Sequence, residues 1–175
     1  MVGNGQIMKI VILNPRMLTH HRCPVSLSLV AKDLPLWSAV DTYATLCQQD
    51  RDRFHLRLKH PSFPTPETAL TNPWAAHPPA GMLWLEFSSQ RVLLTLQGRG
   101  QLGYRHHWAN GVYGTSRYWL DAQNQGLQPV IALRNFTRQL VVSGYPLPDR
   151  LQIDYELWSG QLPLGQYILH LDIHH

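Results

Sequence analysis

The residue types best suited to chemistry in this chain are its histidines and cysteines. His20-His21-Arg22-Cys23 and His106-His107 place imidazoles and a thiol in adjacent positions. Zinc motifs space their ligands so that both reach one ion. Adjacent residues on a strand point to opposite faces, so each pair offers one ligand per side. The pairs therefore read as ordinary surface or packed histidines, and no metal is expected. Cys23 and Cys47 allow at most one bridge, and no secretion signal places it in an oxidising compartment. Nucleophilic catalysis lacks its usual marks. There is no Gly-x-Ser-x-Gly elbow and no paired carboxylates among the eight Asp and three Glu. Gly98-Arg99-Gly100-Gln101-Leu102-Gly103 imitates a phosphate loop but leads into a strand-like segment, so no helix dipole awaits a phosphate. The expectation is a protein that is not an enzyme and needs no cofactor.

Arginines interleaved with aromatics are the stronger signal. Twelve of the fifteen basic residues are Arg, and the net charge is +4. Arg presents a planar fork that grips carboxylate or phosphate and stacks on rings. Tyr104, Arg105, Trp108, Tyr113, Arg117 and Trp119 crowd into one short stretch. On a two-stranded ribbon they could form a partner-binding face. A partly buried structural face and a platform for single-stranded nucleic acid are the other readings.

The elements that would position these residues are mostly strands. Val25, Leu27 and Leu29 alternate with Ser26, Ser28 and Val30. Lys9–Leu13 reads as a short buried strand, and Phe54, Leu56 and Leu58 alternate with His55, Arg57 and Lys59. Two hairpins are expected, one around Ser88-Ser89-Gln90 and one around Ala109-Asn110-Gly111. Leu151, Ile153, Tyr155 and Leu157, then Tyr167, Leu169, Leu171 and Ile173, complete the alternating set. One stretch changes period. Trp37, Val40, Tyr43, Ala44 and Cys47 fall three and four apart, after Asp33 and Pro35. That spacing predicts one helix over 34–49, although the β-branched Val40, Thr42 and Thr45 suit a strand. Six prolines between Pro61 and Pro79 make 61–80 a long excursion outside any element interior, and 1–7 reads as a loose leader. The whole is a mainly β single domain over 1–175, a sandwich or barrel with one helix. No run is long and apolar enough for a membrane span, so a soluble, cytoplasmic protein without membrane insertion is expected.

Arg134-Asn135-Phe136-Thr137-Arg138 resembles the first half of the PilZ-domain signature, in which two arginines hold cyclic di-GMP. That resemblance implies a PilZ-like barrel with Arg134 and Arg138 as ligand-binding residues. The second half of the signature is absent, and Arg53 and Arg57 show the same spacing. The same segment, with Leu147-Pro148, Ile153-Asp154-Tyr155-Glu156-Leu157-Trp158-Ser159-Gly160 and Leu164-Gly165-x-Tyr167, resembles the EbsA family of cyanobacterial type IV pilus biogenesis accessory proteins. This likeness covers about the last forty residues. It implies a cytoplasmic, non-enzymatic adaptor whose partners are the pilus extension ATPase and an Hfq-like protein. It carries no catalytic or ligand residue over.

Overall fold

The structure is a computed structural model that describes residues 19–35, 37–60, 81–98, 102–120 and 130–175. The leader 1–7, the Lys9–Leu13 segment and the excursion 61–80 lie outside the described residues. Ten strands follow one another: β1 Thr19–Ala31, β2 Trp37–Asp50, β3 Arg53–His60, β4 Gly81–Phe87, β5 Arg91–Gly98, β6 Leu102–Ala109, β7 Tyr113–Leu120, β8 Val130–Ser143, β9 Arg150–Ser159 and β10 Leu162–Ile173. Each strand pairs antiparallel with the next, and β1 pairs with β10, so the sheet closes into a barrel. Of the architectures the alternation allowed, the barrel is the one formed.

The expected helix over 34–49 is absent; β2 occupies that stretch. Its even positions Val40, Thr42, Ala44 and Leu46 face inward, opposite Leu27, Val25, Cys23 and His21 of β1. Trp37, Tyr43 and Cys47 belong to the outer row. Apolar side chains on both faces blurred the period of two into an apparent helical spacing. The β-branched residues then found a pleated neighbour on either side, which favours a strand. No helix among the described residues is long and apolar enough to cross a membrane.

Inward residues fill the barrel unevenly. At one end, strands join through short turns after Asp50, Phe87, Ala109 and Ser143. There Leu46, Leu56, Leu85, Phe87, Val92, Leu151, Ile153 and Leu171 are fully buried. Each such side chain contributes about 1.5–3 kcal/mol on burial. At the other end, Leu27, Leu29, Tyr104 and Tyr167 also face inward yet stay half-buried. Leu58, Leu83 and Leu96 at the same end are buried, so among the described residues the filling is loosest beside β1, β6 and β10, here called the barrel's mouth. Both cysteines are free and buried, Cys23 inside and Cys47 in the outer row, so they form no bridge.

Candidate binding faces on the outer wall and at the barrel mouth

The six ribbon residues do not share one face. Strand alternation sends Tyr104 and Trp108 into the barrel, and Arg105, Tyr113, Arg117 and Trp119 outward. Trp108 is 1% exposed, so it is a core residue rather than a contact for a partner. Trp119 lies across Gly103, opposite it on β6, where any side chain would collide with the indole.

Arg105 and Arg117 join a longer row that the register assembles from seven strands. Arg22 stands opposite Thr45, then follow Arg57, Trp84, Thr95, Arg105 and Arg117. Arg22 sits 4.7 Å over the Tyr43 ring, and Arg57 5.8 Å from the Trp84 ring. Arg105 Nε donates to Thr95 Oγ1 at 3.2 Å. Arg105 and Arg117 face each other directly. Among the described residues, Arg57, Lys59, Arg91, Arg105 and Arg117 of this wall form no ion pair. Glu86, the carboxylate on β4, lies 3.8 Å from His55. A shallow depression of about 240 Å³ opens here, with Cys47, His55, Arg57, Trp84 and Glu86 in its lining.

The opposite side of the barrel is balanced instead. Lys32 meets Asp154 at 3.0 Å, and Arg150 meets Asp172 at 3.0 Å. The Arg150 hydrogen bond, with a smaller contribution from the His170 charge, holds the Asp172 carboxyl below its usual range despite some burial. Arg138 donates Nε to Glu156 at 2.6 Å, from the bulge that follows Thr137. Arg134 lies between the Tyr113 ring, 4.6 Å away, and the Trp158 ring, 6.0 Å away. The two arginines of the PilZ-like spacing are therefore both on the outer wall, one stacked on rings and one held by a carboxylate.

Inside, sequence reading missed a polar patch on the wall of β6 to β8. Ser116 Oγ contacts His106 Nδ1 at 2.8 Å and accepts from Asn135 Nδ2 at 2.9 Å. Ser116 Oγ has two lone pairs, so it can accept from both neighbours or donate its own proton to Nδ1, according to the His106 tautomer. Asn135 Nδ2 also donates to the His107 carbonyl at 3.2 Å. Burial lowers the His106 pKa to about 4. Trp108 Nε1, Asn135 Oδ1 and Thr137 Oγ1 are sealed from solvent without a partner. Each such group costs about 1–3 kcal/mol, which the surrounding packing must offset. The signal lay in the parity: Tyr104, His106 and Trp108 share one face, as do Asn135 and Thr137.

The patch depends on Gly114. A Cβ there would overlap the His107 carbonyl and crowd Asn135 Oδ1. Gly114→Ala should therefore cost about 1–3 kcal/mol, read from urea unfolding, because the obstruction is backbone and cannot swing aside.

Above this patch, towards the mouth, four phenols gather. Ring centroids are 6.1 Å apart for Tyr104 and Tyr118, and 5.5 Å for Tyr155 and Tyr167. His106 is 5.3 Å from both Tyr104 and Tyr118. Burial pushes the Tyr104 and Tyr118 hydroxyls up to about 12, and neighbouring phenols add to the effect.

No family model and no curated protein matches the chain. Among solved structures, the crystal structure of the ywiB protein from Bacillus subtilis is similar, with a TM-score of 0.57 and 12% identity, covering 88% of this chain and 94% of that chain. At that identity the likeness is one of fold: the barrel built here also occurs in a bacterial protein of distant sequence.

Proposed function

We propose that this chain is a non-enzymatic adaptor that docks an acidic patch of a partner protein on the outer wall of β3 to β7. The observation that carries this is Arg105 directly opposite Arg117, in a wall where Arg57, Lys59, Arg91, Arg105 and Arg117 form no ion pair among the described residues. Like charges placed opposite each other across a ladder destabilise the sheet, and a partner's carboxylates relieve that repulsion. Arginine's fork suits bidentate pairing with carboxylates, and a predominantly cationic wall speeds encounter with an acidic surface. The C-terminal likeness to the EbsA family supplies a setting, a cytoplasmic pilus-biogenesis assembly with the extension ATPase and an Hfq-like protein as partners.

Arg117→Glu separates binding from folding. It places a carboxylate opposite Arg105, so stability should rise by about 0.2–1 kcal/mol. Capture of the acidic partner should fall about tenfold or more, a loss of roughly 1.4 kcal/mol. The assay compares immobilised wild type and variant in host extract, followed by titration of the purified partner. Equal capture by the two would remove this wall as the docking face.

A second reading has its own observation: Arg134 stacked between Tyr113 and Trp158 offers rings and a cation to single-stranded RNA or a cyclic dinucleotide. Titration of cyclic di-GMP and a short RNA at two salt concentrations tests it. Binding that weakens steeply with salt and disappears in Arg134→Ala would move the function to that corner.

A further inference from the structure

We propose that the tyrosine-lined mouth of the barrel binds a compact organic cation of the quaternary-ammonium type, with Asp33 at the rim as its counter-charge. The rings come from four strands: Tyr104 on β6, Tyr118 on β7, Tyr155 on β9 and Tyr167 on β10. The faces of aromatic rings carry negative charge density and attract a cation within about 6 Å of their centroids. Methylated ammonium groups are weakly hydrated and hold no hydrogen-bond donors, so a wall of rings replaces their water at small cost.

Among the described residues the inward lining of the mouth favours a cation over an anion, and Lys32, beside Asp33 at the rim, is paired with Asp154. Among the described residues, no Lys or Arg side chain belongs to an inward row; those cations stand on the outer wall or in turns. His106 beneath the rings is buried and uncharged near neutrality. Asp33 follows β1 at the rim and is exposed. Its Oδ1 accepts from the Gln166 backbone N–H at 3.2 Å. A Cβ built on Gly165 would stand 3.2 Å from that oxygen and 3.0 Å from the Tyr167 hydroxyl. The carboxylate and the phenol thus flank one notch, which the missing glycine side chain leaves open. Gly165 also has φ 149°, in the region that favours glycine, so the notch is built into the backbone. Access follows from burial: Tyr104, Tyr118 and Tyr167 face inward but are only half-buried.

The test is titration of the full chain with choline and with 3,3-dimethylbutan-1-ol, its uncharged isostere, followed by intrinsic fluorescence and calorimetry. Choline should bind at least about tenfold tighter than the isostere, a margin consistent with desolvated cation–π contacts and a nearby carboxylate. Asp33→Asn should weaken choline several-fold without moving the unfolding midpoint, since Asp33 is exposed. Tyr118→Leu should weaken choline while Tyr118→Phe, which keeps the ring, retains it. Equal affinity for the two compounds, or no choline binding at millimolar concentration, overturns the proposal; equal affinity assigns the mouth to neutral apolar ligands instead. The outer-wall reading stands or falls separately, because Arg117→Glu leaves choline binding unchanged.

Discussion

Replacing Trp108 with alanine should lower folding stability by about 3–5 kcal/mol, the usual range for a fully buried large aromatic. The indole stacks on His106 with centroids 4.9 Å apart and planes 4° from parallel. It also lies 5.1 Å from Tyr155, and β5 presents Val92 opposite it. Trp108 therefore stands where the apolar half of the barrel meets the tyrosine half. Its removal leaves a cavity that neither half can fill, because a closed sheet resists collapse on one side only. Urea unfolding by circular dichroism reads the loss. A drop below about 1 kcal/mol would mean the indole is dispensable to the core. Trp119→Ala is the control, since that ring lies on the outer wall across Gly103.

Acid should weaken the fold through His106 by about 3 kcal/mol between pH 6.5 and pH 4, taking the folded pKa of about 4 against an ordinary 6.5. In that window the unfolded chain binds a proton that the folded chain refuses, so stability rises with pH. The contribution is complete above pH 6.5 and is lost as the pH falls through about 4. The cause is burial: an imidazolium here would sit among Trp108, Tyr104, Tyr118 and Ser116, with no carboxylate of the described residues in contact. Urea midpoints at pH 7.5, 5.5 and 4.5 measure the slope. In His106→Asn the His106 share of that slope should disappear. An unchanged slope in that variant would sink the assignment.

Most of the strands were legible because one face of each is buried. Leu151 to Leu157 and Tyr167 to Ile173 alternate cleanly, and the Asn110-Gly111 turn fixed its hairpin, with Gly111 at φ 72°. Segment 37–47 misled because Trp37, Tyr43 and Cys47 add apolar side chains to the outer row, and Trp37 is 73% exposed. The arginine row was hidden for a different reason. Arg22, Arg57, Arg105 and Arg117 meet only through the pairing of seven strands, and pairing is a long-range property. The division of the ribbon was readable in principle. Tyr104 and Trp108 are four residues apart on one strand and so share a face that excludes Arg105 between them. What the alternation could not give is which face turned inward, since both carry aromatic rings.

The seam between β1 and β10 runs from Val25 opposite Ile173 to Ala31 opposite Tyr167. It leaves the described sheet without a free edge, so no partner can add a strand to it through main-chain hydrogen bonds. Recognition must then be written in side chains alone. Such a surface can be redirected to a new partner by a few substitutions on its outer rows while the ladder beneath stays intact. Relatives of this barrel can therefore keep one scaffold and share no binding specificity.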